Sequence, residues 1–345
     1  MHKIDIKNFT IEDLKKEIKK IPAPSYRAGQ IFFWIYKKNI CDFKDMVNIP
    51  VLLRKTLSDI YSIDRLKIRR HKKSKDGTEK FLFELSDGNF IESVVIFAYE
   101  RKTLCLSTQV GCKYGCKFCA SGKSGFVRNL TVSEIINQVI ITREFTGSKI
   151  TNFVFMGMGE PLDNIENLIR AIKIMNAPAC LNIGARRITV STCGLIPGID
   201  MLKKIKPHIN LSVSLHAADN KKRDFLVPVN KRYPLKELIK SCADFARYTK
   251  TKITIEYVLI KDINDSFQDA DNLSDIAKRL KAKINLIPYS PVSSKDFQTP
   301  SVNSVALFKN RISCNGIGIT VRESKGKDID AACGQLAMVE RHKKE

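Results

Sequence analysis

The sequence predicts an α/β chain: a partial, six-unit (β/α) barrel preceded by a small helical domain. Three observations carry this. From about residue 100, six apolar, β-branched runs alternate with helix-like stretches, the pattern of a parallel sheet with helices packed outside it. The first 75 residues show helical periodicities instead. A length of 345 residues with 43% hydrophobic side chains suffices for one large core and a small companion.

At the start, Thr10 caps a helix with Asp13 three residues on, and IEDLKKEIKKI puts Ile11, Leu14, Ile18 and Ile21 on one face. After the turn signal PAPS, a second periodicity runs through QIFFWIYKKNI, and a third, VLLRKTL, follows Pro50. Residues 1–75 thus form a basic helical accessory domain. RLKIRRHKKSKDGTEK reads as a basic turn leading into strand-like KFLFEL and FIESVVIF, with Asp87-Gly88 as the hairpin signal. Residues 76–98 are this hairpin linker, which carries Glu92, and residues 99–345 are the barrel core with a C-terminal cysteine segment. Its strands are TLCLST, ITNFVFMG, RRITVSTCG, INLSVSLHA, KITIEYVLI and KINLIPYS. VSEIINQVIITREF, IENLIRAIKIM, GIDMLKKI, LKELIKSCADFARY and ADNLSDIAKRL are the helices between them. Chemistry in such folds gathers at the C-terminal ends of the strands. A three-cysteine loop and MGMGEP follow the first two strands, and STCG, SLHA and IPYSP end later ones, so all face one opening.

The charge is lopsided, with 59 Lys and Arg against 36 Asp and Glu, a net +23. Residues 1–75 hold 19 of these cations and 8 of the anions, a net +11. Such a field favours a polyanion, nucleic acid first, although a generally lysine-rich composition would give the same sum. MHKIDIKNFTIEDLKKE is charged throughout, and no apolar run is long enough to span a bilayer. The expectation is a cytoplasmic chain with no membrane partner. In a reducing compartment its ten cysteines point to metal or redox chemistry rather than disulfide scaffolding.

GCKYGCKFCASG places Cys112, Cys116 and Cys119 in a C-x3-C-x2-C spacing. Three thiolates so close look like metal ligands, one short of the usual four. A zinc site completed from elsewhere and a [4Fe–4S] cluster with one open iron both remain, and the absence of a second C-x2-C pair counts against zinc. In MGMGEP a glycine-rich loop lets backbone approach a ligand, and Glu160 is available to an ammonium group. As a dinucleotide fingerprint the motif fails, because Leu162 stands where the third glycine belongs. Cys105 and Cys333, read alone, are buried structural thiols.

C-x3-C-x2-C after the first strand of a β/α array resembles the radical S-adenosylmethionine (SAM) superfamily. IES at 91–93, LCLSTQVGC, GFVRNLT, MGMGEP, SLHA, INLIPYSP and DIDAACGQL, with SYRAGQIFFWIYKK earlier, resemble the RlmN/Cfr family of radical-SAM rRNA adenine methyltransferases over essentially the whole chain. The resemblance implies a partial (β/α)6 radical-SAM barrel and a [4Fe–4S] cluster on Cys112, Cys116 and Cys119. SAM itself is then the fourth ligand, and two SAM are used per turnover. It implies SAM contacts at Gly159, Glu160, Ser191, Ser214, Leu215, His216 and Ser290, the last standing where the family often has Asn. It also implies three catalytic residues. Cys333 is methylated and becomes crosslinked to an adenine ring carbon, Glu92 removes the ring proton, and Cys105 attacks the methylated sulfur to leave a Cys105–Cys333 disulfide.

Pro161 and Pro288 resemble the branch that methylates adenine C2, with 23S rRNA and tRNA as substrates of a monomer served by an external electron donor and a disulfide reductant. The alternatives are the C8-methylating antibiotic-resistance branch and a non-catalytic, zinc-stabilised RNA-binding protein.

Overall fold

The computed structural model describes residues 3–21, 23–291, 297–323 and 325–336. Met1, His2, Pro22 of the PAPS signal and Ala337 after the C-terminal motif lie outside the described residues.

The N-terminal unit packs α1 (Ile11–Lys20), α2 (Arg27–Tyr36) and α3 (Val51–Ile60), closed by the short parallel pair β1 (Ile4–Asp5) and β2 (Tyr61–Ser62). The expected capping box is present: the Asp13 amide donates to Thr10 Oγ1 at 3.3 Å, and the Thr10 amide donates back to the Asp13 carboxylate at 3.3 Å. Leu14, Ile18 and Ile21 of the predicted face are buried against Ile31, Phe32 and Leu57 of the neighbouring helices, while Ile11 stays partly exposed.

The remaining chain builds a ten-stranded sheet. Its antiparallel flank is β3 (Lys67–Lys73), β4 (Glu79–Glu84) and β5 (Phe90–Ala98), the last pairing with β6 (Arg101–Cys105). From β6 onward the order is parallel. The short hairpin β7 (Gln109–Gly111) and β8 (Phe126–Asn129) stands apart and brackets the three-cysteine loop. Then come β9 (Asn152–Phe155), β10 (Ile188–Thr192), β11 (Asn210–Ser214), β12 (Thr254–Leu259), β13 (Lys283–Pro288) and β14 (Ile319–Val321), each beside its predecessor. The six expected barrel strands are β6 and β9 through β13. β14 adds a seventh parallel strand that the sequence pattern did not announce.

Residues 67–73 form a strand where a basic turn was expected. Five of the seven side chains are exposed cations, which hides the alternation, yet His71 packs on Phe81 and Phe145 at ring distances of 4.8 and 4.7 Å. That one aromatic anchor and the backbone ladder to β4 make the strand.

The helices are α4 (Ala120–Lys123), α5 (Val132–Thr146), α6 (Ile165–Asn176), α7 (Ile196–Leu202), α8 (Asn220–Leu226), α9 (Leu235–Thr249), α10 (Phe267–Leu280) and α11 (Val302–Cys314). All five predicted barrel helices are there; α4, α8 and α11 were not foreseen. α5 is bolted to the sheet by Gln138, fully buried. Its Oε1 accepts from Ser93 Oγ at 2.7 Å and from the Ser107 amide at 2.9 Å, and its Nε2 donates to Ser107 O at 3.0 Å. Each of these buried polar atoms has a partner, as burial requires.

Replacing Thr10 by Ala removes the cap acceptor of α1. The expected cost is about 1 kcal/mol, read as a lowered denaturant midpoint at unchanged m-value; no change would mean that the capping box contributes nothing here.

Candidate active site at the mouth of the barrel

The C-terminal ends of the parallel strands converge on one cavity of about 160 Å³, open to solvent on one side. It is lined by the cysteine loop (Cys112, Cys116, Cys119), by Gly159 and Glu160 after β9, and by Ser191 and Cys193 at the end of β10. Ser214 and His216 follow from β11, Ser290 from beyond β13, and Cys333 from the C-terminal segment. Phe118, Phe155, Val258 and Tyr289 supply apolar wall. An apolar pocket with a few convergent polar groups is what a cofactor site needs.

The loop that carries the three cysteines is pinched at its base. Gly111 has φ +75°, and a Cβ there would lie 1.9 Å from Gly125 O, the atom that accepts the Cys112 amide at 2.7 Å. Only glycine permits that approach. Inside the loop the Cys119 amide donates to Cys116 O at 3.1 Å, and Lys117 N donates to Leu226 O at the end of α8 at 3.1 Å. Burial pushes the Cys112 thiol up to about 12, and Cys116 rises through burial first and then through Cys119 and Cys112. Cys119 is raised by burial as well. Three half-buried thiols that resist ionisation beside one another call for a cationic centre to hold them as thiolates. Among the described residues no three His, Cys, Asp or Glu side chains converge on a single ion. The donor set, soft sulfur facing an open cavity, fits an iron–sulfur cluster, which spreads its ligands over several irons.

Glu160 is buried and held by backbone. Its Oε1 accepts from Leu162 N at 2.9 Å and its Oε2 from Cys193 N at 2.8 Å, while burial nevertheless raises its pKa above the ordinary value. The Thr192 and Cys193 side chains also bond to the carboxylate, which lines the cavity. Gly159 has φ +93°, and a Cβ would meet Gln109 Cβ at 2.4 Å; Gln109 Oε1 in turn accepts the Glu160 amide at 2.8 Å. Ser191 Oγ and Ser214 Oγ lie 3.2 Å apart. His216 is buried with φ +59°, its Nδ1 accepts the Val258 amide at 3.0 Å, and its ring meets Phe118 edge-on at 4.5 Å. Burial, then Arg223, drives its value down to about 3, so the imidazole is neutral with its proton on Nε2.

Leu215 differs from its neighbours. Its side chain is in the core, its amide donates to Glu256 O at 3.0 Å, and its carbonyl accepts Arg223 Nε at 3.1 Å. Successive strand residues point to opposite faces, which is why Ser214 and His216 reach the cavity and Leu215 does not.

Cys105 ends β6, and Cys333 lies 228 positions later; both line a second, smaller cavity with Cys119, Met156 and Arg322. Cys105 is buried and pushed up to about 12, by burial first and by Cys333 second, whereas Cys333 is exposed. Both are free thiols. Glu92 sits on β5, buried, in an ion pair with Lys80 at 2.7 Å. It lines neither cavity; Lys80 Nζ also donates to Asp330 O at 3.0 Å, which ties Glu92 to the Cys333 segment at one remove.

Sequence reading missed Glu256, Arg322 and Arg223. Glu256 lies on the cavity wall with Oε1 bonded to Asn285 and Oε2 unpartnered. Arg322 follows β14 and faces both cysteines; attraction to Cys333 is the largest influence on it. A lone Arg after a three-residue strand carries no local signal. Only the fold brings it to the site.

A glycine-cradled loop and three thiols at the C-terminal mouth of a parallel barrel define a radical SAM enzyme. Comparison with known proteins agrees. Residues 106–273 match the model of the radical SAM superfamily, and residues 4–63 match that of the ribosomal RNA large subunit methyltransferase N-terminal domain. The chain belongs to the RlmN family of dual-specificity RNA methyltransferases, and is thereby a SAM-dependent RNA methyltransferase. It is 43% identical to a probable RlmN of Clostridium botulinum, covering 96% of each chain, and 46% identical to one of Thermosipho melanesiensis, covering 96% and 98%. A solved radical SAM methyltransferase from Sphaerobacter thermophilus superposes with a TM-score of 0.91 at 41% identity, over 96% of this chain and 99% of that one.

His216 makes stability pH-dependent in a definite direction. Its folded value near 3 lies below the ordinary imidazole value of ~6.5, so between these the unfolded chain binds more protons. The contribution is fully present above that ordinary value and is lost as pH falls, by about 1.4 kcal/mol per pH unit. His216→Asn keeps an acceptor for Val258 N and tolerates the positive φ. The drop in denaturant midpoint from about pH 7.5 to about 5.5 should therefore be smaller in His216→Asn than in wild type; equal drops would contradict a neutral buried imidazole.

Proposed function

We propose that this enzyme methylates C2 of an adenine in 23S rRNA and of an adenine in tRNA, by way of a methylated Cys333 and a transient protein–RNA crosslink. The observation that supports it most is the meeting of Cys105 and Cys333 beside the three-thiol loop. Two lone structural thiols have no reason to share a cavity with Arg322 between them. Pro161 on the cavity wall and Pro288 at the end of β13 favour C2 over C8.

Cys112, Cys116 and Cys119 would hold a [4Fe–4S] cluster. When bound, cluster and SAM supply the methyl group and the means of removing one of its hydrogens. Gly159, Glu160, Ser191, Ser214, His216 and Ser290 would hold SAM, Glu160 through its ammonium and the serines through hydroxyls. The part of Leu215 would fall to its backbone.

The chain's own residues then act in order. Cys333, exposed at the cavity rim, attacks a methyl carbon as thiolate; the carbon–sulfur bond forms while the sulfonium bond breaks and a neutral thioether leaves. The same carbon, short of one hydrogen atom, bonds to the adenine ring carbon, and the odd electron of the adduct leaves to a one-electron acceptor, a part the cluster would supply. Glu92 takes the ring proton, which requires it to exchange Lys80 for the base. Cys105 thiolate attacks Cys333 sulfur. The sulfur–sulfur bond forms, the sulfur–carbon bond breaks with its electron pair left on carbon, and a proton completes the methyl group. The disulfide is reopened by an external dithiol, and an external one-electron donor serves the cluster. Residues 1–75, with a net +11, would dock the RNA through phosphates.

The test is Cys105→Ala expressed in cells. Cluster assembly and Cys333 methylation should persist, and the cycle should stop with RNA covalently attached, visible as an RNase-sensitive adduct. Mass spectrometry of the digested adduct then reads the carbon attached. An RNA-free variant that still methylates near its normal rate would end the two-cysteine mechanism; attachment at C8 would move the chain to the other branch.

Docking through phosphates predicts that RNA affinity falls steeply with salt, by roughly ten- to a thousand-fold over a few-fold rise. Deleting residues 1–63, which leaves β3 and its turn in the sheet, should flatten that slope. Filter binding that shows the same slope with and without them would remove RNA docking from this domain.

A further inference from the structure

Arg223, on α8, is completely buried, and its hydrogen bonds go only to neutral acceptors. Nε donates to Leu215 O at 3.1 Å, Nη1 to Asn230 Oδ1 at 2.8 Å, and Nη2 to Cys193 O at 2.6 Å and Ser214 O at 3.5 Å. Among the described residues it makes no ion pair. The neighbouring Asp224 turns its Oδ1 to Asn230 Nδ2 at 2.6 Å instead. By contrast, the fully buried Lys7 has Asp5 at 3.1 Å. A buried guanidinium without a counter-charge is costly, because no protein acceptor replaces the solvation of a full charge.

The surroundings say where the counter-charge belongs. The guanidinium is clamped between the ends of β10 and β11, on the carbonyls of Cys193 and Ser214, both of them cavity-lining residues. α8 itself is tied to the cysteine loop, since Leu226 O accepts the amide of Lys117, next to Cys116. The thiols that most influence Arg223 are Cys193 and Cys116. Three thiolates leave a cubane core with net negative charge, which deepens when an electron is added.

We propose that Arg223 is the buried counter-charge of the cluster, a positioning residue whose fixed positive charge raises the cluster's reduction potential. The electron comes from a one-electron donor, and the added charge is balanced by the guanidinium already in place rather than by a proton or by solvent. This rests on the assignment of Cys112, Cys116 and Cys119 as cluster ligands. A neutral side chain in this position would leave the added electron uncompensated.

The test is anaerobic reconstitution of wild type, Arg223→Lys, Arg223→Gln and Arg223→Met. Iron and sulfide contents are followed by an EPR-monitored redox titration with dithionite, without RNA. Absence of a cluster in wild type would overturn the ligand assignment itself, and with it this proposal. With clusters assembled, the Gln and Met variants should be harder to reduce by at least about tenfold, which is 59 mV for one electron, and the Lys variant should keep most of the wild-type potential. A potential unmoved in a charge-free variant overturns the proposal, as does Lys falling as far as Gln, which is what a purely structural role predicts. Should both charge-free variants fail to fold, Asn230→Asp decides. It leaves Arg223 in place and sets a carboxylate against Nη1, so the potential must fall; an unchanged value overturns the proposal.

Discussion

The site depends on how the segment Gly326–Leu336 is pinned across the barrel mouth. From one side the β3–β4 turn grips it: Ser74 Oγ and Lys75 N donate to the Asp328 carboxylate at 2.5 and 3.2 Å, and Gly326 N donates to Asp76 Oδ2 at 2.9 Å. From the other side the cysteine loop holds it, with Ala120 N on Gly334 O at 2.8 Å and Ser121 Oγ on Leu336 O at 2.5 Å. Cys333 lies between these two sets of bonds. Cys333 is exposed while the backbone on either side is fixed, so the residue combines reach with order. The hydrogen bonds to Asp76 and Asp328 hold both carboxyls below their usual range, so they stay ionised acceptors at neutral pH.

Burial then separates the two cysteines by environment. Cys105 is buried and pushed up to about 12, so it rests as a thiol, whereas Cys333 is exposed. Arg322 opposes this, together with a hydrogen bond from the Met156 backbone, and it lines the smaller cavity with both cysteines. Glu256 holds the other end of the same charge group, its own acidity weakened by burial and partly restored by Arg322. The floor of the cavity is therefore electrostatically coupled to the sulfurs above it, although none of the four groups is adjacent in sequence.

Much of this was legible beforehand, and the exceptions have a common cause. The central strand runs were readable because β10, β11 and β12 are buried along most of their length, so apolar and β-branched residues dominate them. The cysteine spacing and the capping box at Thr10 were readable because they are local, with partners within a few residues. What was hidden depends on distant partners or very short elements. β14 is three residues long, β3 is a strand because of β4, and α8 is seven residues whose fully buried polar member, Arg223, looks like a surface cation in sequence. Ser290 was read as a departure from a family pattern, yet it lines the cavity like its neighbours, and Glu92 was found on the expected strand but turned to Lys80.

β6 is the joint that makes these pieces one site. It pairs antiparallel with β5 on one side and parallel with β9 on the other, so it belongs to both halves of the sheet. Its last residue, Cys105, stands opposite Val94 of β5, two residues from Glu92, and beside Val154 of β9, just before the glycine-rich loop. Leaving β6, the chain enters the segment in which Ser107 Oγ donates to Glu92 O at 2.6 Å and accepts from Met158 N at 2.9 Å, and then the cysteine loop itself. One five-residue strand thus fixes Cys105, the strand of Glu92 and the three-cysteine loop in a single frame. A change of register on either side would carry Cys105 to the opposite face of the sheet, because side chains alternate with a period of two. The antiparallel flank is for that reason part of the catalytic architecture rather than an appendage to the barrel.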